Sequence, residues 1–380
     1  MESMKNDSFQ NIRNNNRKKI LAYLYRHPDV SRQEIANTLG LSQPTVFSYI
    51  NELIDRGILI EGGEYASKGG RKAKRISINA GIRYSIGIDI TKHHVRYLLL
   101  DLSGRGDIKD YSIRYNYSNT NEYYNTVIEN MMLFLQNMGI DEELILGVGV
   151  SVPGVVDVNK GEMITSRILE VNNVDLLYSF RKMPFPVFFE NDANCAAYAE
   201  ISADNKDIVY FALSHSVGGA SYISGKLHAG DNLRAGQFGH MLLHPGGKKC
   251  YCGKKGCFNA YCSMDALLGQ DDDRIEDFFM MVKQGEPKRE KRWNKYLDDL
   301  AIAITNARMA FDCNIVLGGY IGYYIGDYLD LLSEKTRKLN MFENNVSYIK
   351  IGKYMKNSSA LGIAILAAWE CFNQMDLDEL

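Results

Sequence analysis

The sequence has no apolar run long enough to cross a bilayer. Its longest such stretch near the end, 360–369, covers about half of the roughly 20 residues a spanning helix needs. The opening MESMKNDSFQ contains no hydrophobic signal region. Both absences argue against a membrane or secreted protein, so a cytoplasmic one is expected. A dominant charge is also missing, because 44 Lys and Arg against 46 Asp and Glu leave a formal net charge of −2. At 46% hydrophobic and 24% charged, the 380-residue chain is globular rather than disordered and long enough for two or three domains with substantial cores. Cysteine is sparse, and four of the seven (Cys195, Cys262, Cys313 and Cys371) stand in apolar or mixed surroundings that suit a small buried side chain.

The other three cysteines fall together in AGQFGHMLLHPGGKKCYCGKKGC, residues 235–257. Cys250, Cys252 and Cys257 lie among glycines and lysines that form no core, so burial does not account for them. Cys250 and Cys252 are too close in sequence to pair easily with each other, and the absence of a secretory signal disfavours a structural disulfide. Three thiols plus one imidazole make a tetrahedral set for Zn²⁺, and either His240 or His244 supplies the fourth ligand. Four protein ligands make a closed, structural site that shapes a loop and leaves no position to activate water.

Charge is unevenly spread. Up to Ile78 there are 13 Lys and Arg against 8 Asp and Glu, a net +5, and the remainder holds 31 against 38, a net −7. A basic head on an acidic body points to a polyanion partner for the head. In KKILAYLYRH, Ile20, Leu21 and Leu24 have helical spacing, and Pro28 ends that helix. SRQEIANTLG opens with Ser31 and Glu34 in capping-box positions and stops at Gly40. A third helix starts at Ser42, tolerates Pro44 in its first turn, and carries Val46, Ile50 and Leu53 on one face. Short strands are predicted at 58–60 and 76–78, around the basic loop EGGEYASKGGRKAKR. This is a winged helix-turn-helix over residues 1–80, with double-stranded operator DNA as its partner. Gln43, Thr45, Ser48 and Tyr49 are placed to reach base edges, and Lys68, Arg71, Lys72, Lys74 and Arg75 suit phosphates or a narrow minor groove.

From residue 81 the pattern is α/β. RYSIGIDITKHHVRYLLLDLSG reads as two strands, 121–138 as a helix, LILGVGVSVPGVVD as a buried strand entering a turn, and VFFENDANCAAYAEI as strand, polar turn and helix. IVYFALSHSVGGASYISGKLHAG, a helix over about 293–311 and NIVLGGYIG repeat the scheme, so two similar halves are expected. Polar residues at the carboxyl end of a buried strand are well placed to bind a ligand.

IGIDI, VPGVVD, ENDANCAAYAE, AGQFGH, CYCGKKGC and IVLGG, in this order, resemble the ROK family of repressors and sugar kinases, and the resemblance covers nearly the whole chain. It implies a two-lobed, actin-like ATPase (ribonuclease H-like) fold over 81–380. Lobe one would hold about 81–203 plus a C-terminal helix at about 360–380, and lobe two about 204–359. The winged head looks like the repressor branch of the family, which includes regulators of xylose, glucose and N-acetylglucosamine use. The family's Gly-His pair falls on His240, which assigns the fourth metal ligand there and makes His244 the alternative.

In kinases of the family the residue at Asp192 acts as general base, but a carboxylate there can equally accept a sugar hydrogen bond. The phosphate loops separate the two roles. The family's Gly-Gly-Thr is replaced by Thr91, Lys92 and His93, and its Gly-Thr-Gly by Ser214, His215 and Ser216, so side chains stand where backbone N–H groups would close on phosphate. No catalytic residue is therefore expected. Gln237 and Asn259 replace residues that are often Glu in the family, which keeps hydrogen bonding but removes charge. The resemblance implies a sugar or sugar derivative contacted by Asn191, Asp192, Gln237, His240 and Asn259, and a homodimer or homotetramer.

Overall fold

The computed structural model describes residues 2–64, 74–104, 108–202, 205–269 and 274–375. Two compact units divide the chain: Met1–Val150 with Leu176–Phe188 and Ile363–Leu380, and Ser151–Asp175 with Phe189–Gly362. The segment 151–175 and the stretch from Phe189 thus group with the second unit, whereas the sequence reading expected them in lobe one. No helix among the described residues is long and apolar enough to cross a membrane.

The head forms from local signals. Helix α1 (Glu2–Arg26), α2 (Arg32–Leu39) and α3 (Gln43–Asp55) precede strands β1 (Leu59–Glu64) and β2 (Lys74–Ile78), which pair antiparallel as the wing. The Ser31 hydroxyl accepts a bond from the Glu34 N–H at 3.2 Å, Gly40 closes α2 in the left-handed conformation at φ 64°, and Ser42 caps Thr45. Ile20, Leu21 and Leu24 of α1, Ile35 of α2, and Val46, Ile50 and Leu53 of α3 are buried with Ile76 and Ile78. The same core continues into Leu102, Leu146, Cys371 and Phe372, and the Tyr25 ring meets Trp369 edge-on at 5.2 Å. Helix α1 starts far earlier than the predicted 18–27. No Gly or Pro interrupts 2–19, and the buried Arg17 pairs with Glu52 of α3, which Arg13 also contacts at 2.9 Å.

In the first unit follow β3 (Tyr84–Ile90), β4 (His94–Asp101), β5 (Lys109–Arg114), α4 (Asn121–Met138) and β6 (Ile145–Val152). The second unit brings β7 (Val155–Asp157), β8 (Glu162–Ser166) and β9 (Val171–Asp175), a small antiparallel sheet. After the short α5 (Leu176–Ser179) come β10 (Val187–Asn191), α6 (Asp192–Glu200), β11 (Ile208–Leu213), β12 (Val217–Ile223) and β13 (Lys226–Leu227). The chain continues through α7 (Asn259–Cys262), α8 (Met264–Leu268), α9 (Ile275–Lys283), α10 (Pro287–Phe311), β14 (Asn314–Gly318), α11 (Gly319–Ile325), α12 (Leu329–Arg337), β15 (Ile349–Ile351) and α13 (Ser358–Gln374). Helix α10 begins six residues before the predicted start, because Glu286 caps it through the Arg289 N–H and Pro287 fits its first turn.

The internal repeat is visible in the sheets. One has the order β5-β4-β3-β6-β10 and the other β13-β12-β11-β14-β15, the same succession of three neighbouring strands followed by two later ones. In the second, β11 pairs antiparallel with β12 and parallel with β14. Its core is Phe211, Phe258, Trp293, Leu297, Leu300, Ile304 and Leu317, all essentially inaccessible. Cys195, Cys262, Cys313 and Cys371 are buried, as their surroundings in sequence suggested.

Gly362 shows how tightly α13 packs in the second unit. A Cβ there would overlap the carbonyl oxygen of Cys195, an atom of α6 that has no freedom to move aside. Gly362→Ala is therefore expected to destabilise the protein by about 1–3 kcal/mol, whereas Gly81→Ala, whose Cβ meets only the Tyr84 hydroxyl at 4.0 Å, is expected to be near neutral. Thermal unfolding of the two variants side by side checks this, and equal midpoints would contradict the packing described.

Candidate metal centre and DNA-binding face

Helix α3 turns Val46, Ile50 and Leu53 inward, which leaves Gln43 and Ser48 exposed and Thr45 and Tyr49 partly so. Thr45 is engaged at the cap, its hydroxyl 2.7 Å from that of Ser42, and the Tyr49 ring packs against the head core. Two residues escaped the sequence reading. Phe47 is 55% exposed on the outward face, and the Arg32 guanidinium lies 4.4 Å above its ring while donating to Asn51 Oδ1 at 2.9 Å and Glu61 Oε1 at 2.5 Å. The spacing of the buried face would have revealed Phe47, but nothing local announces Arg32. In the wing, Lys74 reaches Glu61 at 2.6 Å, an ion pair that holds the Glu61 carboxyl below its usual pKa, and Arg75 is half-buried. Lys68, Arg71 and Lys72 lie outside the described residues.

The cysteine loop is a tight knuckle. The Cys250 N–H bonds to the Lys254 carbonyl at 2.8 Å and the Gly253 N–H to that of Cys250 at 3.0 Å, with Gly253 and Gly256 at φ 89° and 88°. This folding brings one ligand atom from each of His240, Cys250, Cys252 and Cys257 within 4.8 Å of one another. The Cys252 and Cys257 sulfurs are 3.7 Å apart, and His240 Nδ1 is 4.0 Å from Cys250 Sγ. Zn–S bonds of about 2.3 Å in a tetrahedron demand S···S edges of roughly 3.8 Å, so the four residues fit the ion. Burial and then the hydrogen bond with Cys252 push the Cys257 thiol up to about 12. At Cys252 burial acts upward but is outweighed by the Lys254 N–H and the neighbouring thiols, so that thiol is shifted down. Three clustered thiols resist ionising together, and a divalent cation removes that conflict. Burial, then the positive charge of Arg167, holds the His240 imidazole below its usual pKa, the direction that favours the neutral form a metal ligand requires.

His244 points elsewhere. Its Nε2 lies 2.6 Å from Oδ1 of the buried Asp299, which Lys295 also contacts at 2.7 Å, and its ring meets Tyr261 at 4.6 Å. It ties the loop to α10 and stands apart from the four-residue cluster.

All five candidate sugar contacts belong to the second unit. Asn191 is the N-cap of α6: its Oδ1 accepts the N–H groups of Ala193 and Asn194 at 2.9 and 3.0 Å, and its Nδ2 donates to the Gly154 carbonyl at 2.8 Å and to Asp192 Oδ1 at 3.0 Å. Glu190 accepts from the Asn191 N–H and Asn194 Nδ2, and burial raises its carboxyl pKa. Asn259 is only 6% exposed and accepts the Val217 N–H at 2.7 Å, so its carbonyl fastens the start of β12. Gln237 is exposed at the entry to the short 3-10 helix Phe238–His240, and its side chain forms no cap there. Two histidines that the sequence reading placed in phosphate-loop positions bond locally: His93 Nδ1 lies 3.0 Å from Asn116 Oδ1, and His215 Nδ1 lies 2.9 Å from Asp265 Oδ1. Gly219 has a packing role, since a Cβ there would meet the Tyr210 carbonyl at 2.5 Å and the Phe238 ring at 2.6 Å.

Comparisons with known proteins agree with this division of labour. A family model described as ROK family matches residues 85–370, and one described as winged helix-turn-helix DNA-binding matches residues 13–60. The xylose repressor of Bacillus subtilis (strain 168) is 32% identical over 259 residues, which span 67% of this chain and 67% of that protein. The DNA-binding transcriptional dual regulator NagC of Escherichia coli (strain K12) is 25% identical over 266 residues, 68% of this chain and 63% of that protein. In fold, the chain is similar to the crystal structure of a ROK family transcriptional regulator, a homolog of the E. coli MLC protein, with a TM-score of 0.77 at 19% identity over 97% of this chain and 100% of the other. It is also similar to a ROK family glucokinase from Streptomyces griseus in complex with glucose and AMPPNP, with a TM-score of 0.62 at 21% identity over 74% of this chain and 98% of the other. With a cysteine-histidine knuckle typical of the family and a match over 85–370, the chain belongs to the ROK family and carries a winged helix-turn-helix at its N-terminal end.

Proposed function

We propose that the protein is a transcriptional repressor of sugar-utilisation genes whose hold on operator DNA is released by a carbohydrate. One observation carries this reading: a winged helix-turn-helix and a ROK domain lie in one chain whose relatives include proteins named as xylose repressors. Gln43, Thr45, Ser48 and Tyr49 read base edges in the major groove, and Lys68, Arg71, Lys72, Lys74 and Arg75 hold phosphates or enter a narrow minor groove. The exposed Phe47, braced by Arg32, adds an apolar contact on the same face. The protein acts in the cytoplasm as a homodimer or homotetramer, so that paired heads meet paired half-sites.

The effector is a sugar or sugar derivative. Asp192 and Gln237 offer it hydrogen-bonding groups, His240 touches it with the face of its ring while its nitrogens serve the metal centre, and Asn191 and Asn259 meet it with the side-chain groups not spent on the bonds described above. His240, Cys250, Cys252 and Cys257 hold a structural Zn²⁺, which cross-links the loop that carries Gln237. Effector binding shifts the population toward a form whose heads no longer match the half-site spacing, and only differential affinity of the sugar for the two forms produces release. A kinase is disfavoured because the side chains of His93 and His215 occupy the phosphate-loop positions and are hydrogen-bonded there.

Fluorescence anisotropy on DNA from upstream of the protein's own and adjacent genes, at fixed salt and with a panel of sugars and sugar phosphates, tests the assignment. Specific binding that one sugar weakens is expected, and binding that no sugar alters would overturn the induction step. With ATP, Mg²⁺ and the same sugars, turnover is expected at background, and sugar-dependent ADP release would instead favour a kinase. Metal analysis of the purified protein is expected to find one Zn²⁺ per chain. Cys257→Ser should abolish that stoichiometry and lower the unfolding temperature.

A further inference from the structure

Tyr251 lies between two of the cysteines, yet it points away from any core and is 52% exposed. Its hydroxyl stands 3.2 Å from His240 Nε2, and the two rings meet edge to face with centroids 5.4 Å apart. His240 presents its other nitrogen, Nδ1, to Cys250 Sγ. With Nδ1 turned to the thiols, a neutral imidazole carries its proton on Nε2 and donates it to the Tyr251 oxygen. A ring on a short turn would otherwise rotate, so this bond selects both tautomer and orientation.

We propose that Tyr251 is a positioning residue of the metal centre: its hydroxyl fixes His240 with Nδ1 toward the metal. This rests on the metal site proposed above. Tyr251 is not a ligand, and the cysteine and histidine spacing did not indicate it.

The test uses the full-length protein titrated with Zn²⁺ against a chromophoric chelator, and separately with Co²⁺ to read the visible bands of the thiolate-bound ion. Tyr251→Phe keeps the ring and removes the hydroxyl. It is expected to bind one metal with affinity lowered roughly 10–100-fold and with shifted Co²⁺ bands, which loss of packing alone would not produce. If the unaltered protein binds one metal while Tyr251→Phe matches it in affinity and spectrum, the positioning role is overturned and the metal site stands. If the unaltered protein binds no metal, both fall.

Discussion

Three sulfur atoms and an imidazole nitrogen gather within 4.8 Å on a loop of glycines and lysines, and the fold buries Cys250 and Cys257 there, where the surrounding sequence suggested no core. Their mutual electrostatics resist ionisation of all three thiols, since burial and the neighbouring thiols raise Cys257, while at Cys252 burial acts upward and is outweighed by the Lys254 N–H and the neighbouring thiols. A cation that takes all four ligands turns this conflict into a cross-link between the turn bearing Gln237 and the segment that enters α7. Beyond the cluster, the loop has firm anchors: the Phe258 N–H bonds to the Met241 carbonyl at 2.8 Å, Lys248 N–H bonds to the Tyr261 hydroxyl at 2.7 Å, and His244 reaches the buried Asp299. Gln237, a proposed effector contact, is therefore only as ordered as the knuckle beside it.

With the solved sugar kinases of the family the chain shares a scaffold, and a shared scaffold does not carry a shared activity. The sheet order of one half repeats in the other, and Asn191 and Asp192 form a strand-to-helix turn. His93 and His215 bond to Asn116 and Asp265, and Gly219 serves to admit the Phe238 ring. On the proposed reading the two histidines stand where a kinase would need open backbone around phosphate.

Much of the head was legible in sequence because its determinants are local. Capping serines, the glycine after α2 and the i, i+4, i+7 pattern of α3 lie within a few residues of what they control, and α4 coincides with its predicted span. The cysteine spacing likewise announced the metal cluster. What escaped depends on partners far apart in the chain: Arg17 with Glu52 for the early start of α1, Arg32 with Phe47 for the recognition face, His244 with Asp299, and Tyr251 with His240. Residue type alone also left a local role unseen. Asn191 and Asn259 read as sugar contacts, and each also gives its side-chain oxygen to backbone N–H groups, a role that asparagine fills where a helix or strand begins.

If the metal-braced loop is what ties the carbohydrate to the head, then operator binding and its release by sugar are separable. The direct test is to titrate the releasing sugar into operator complexes of zinc-loaded and chelated protein, with operator affinity measured on each at the same salt. The account predicts that both forms bind operator with similar affinity, because the head folds on its own signals, and that only the zinc-loaded form is released. Equal release with and without zinc would contradict it.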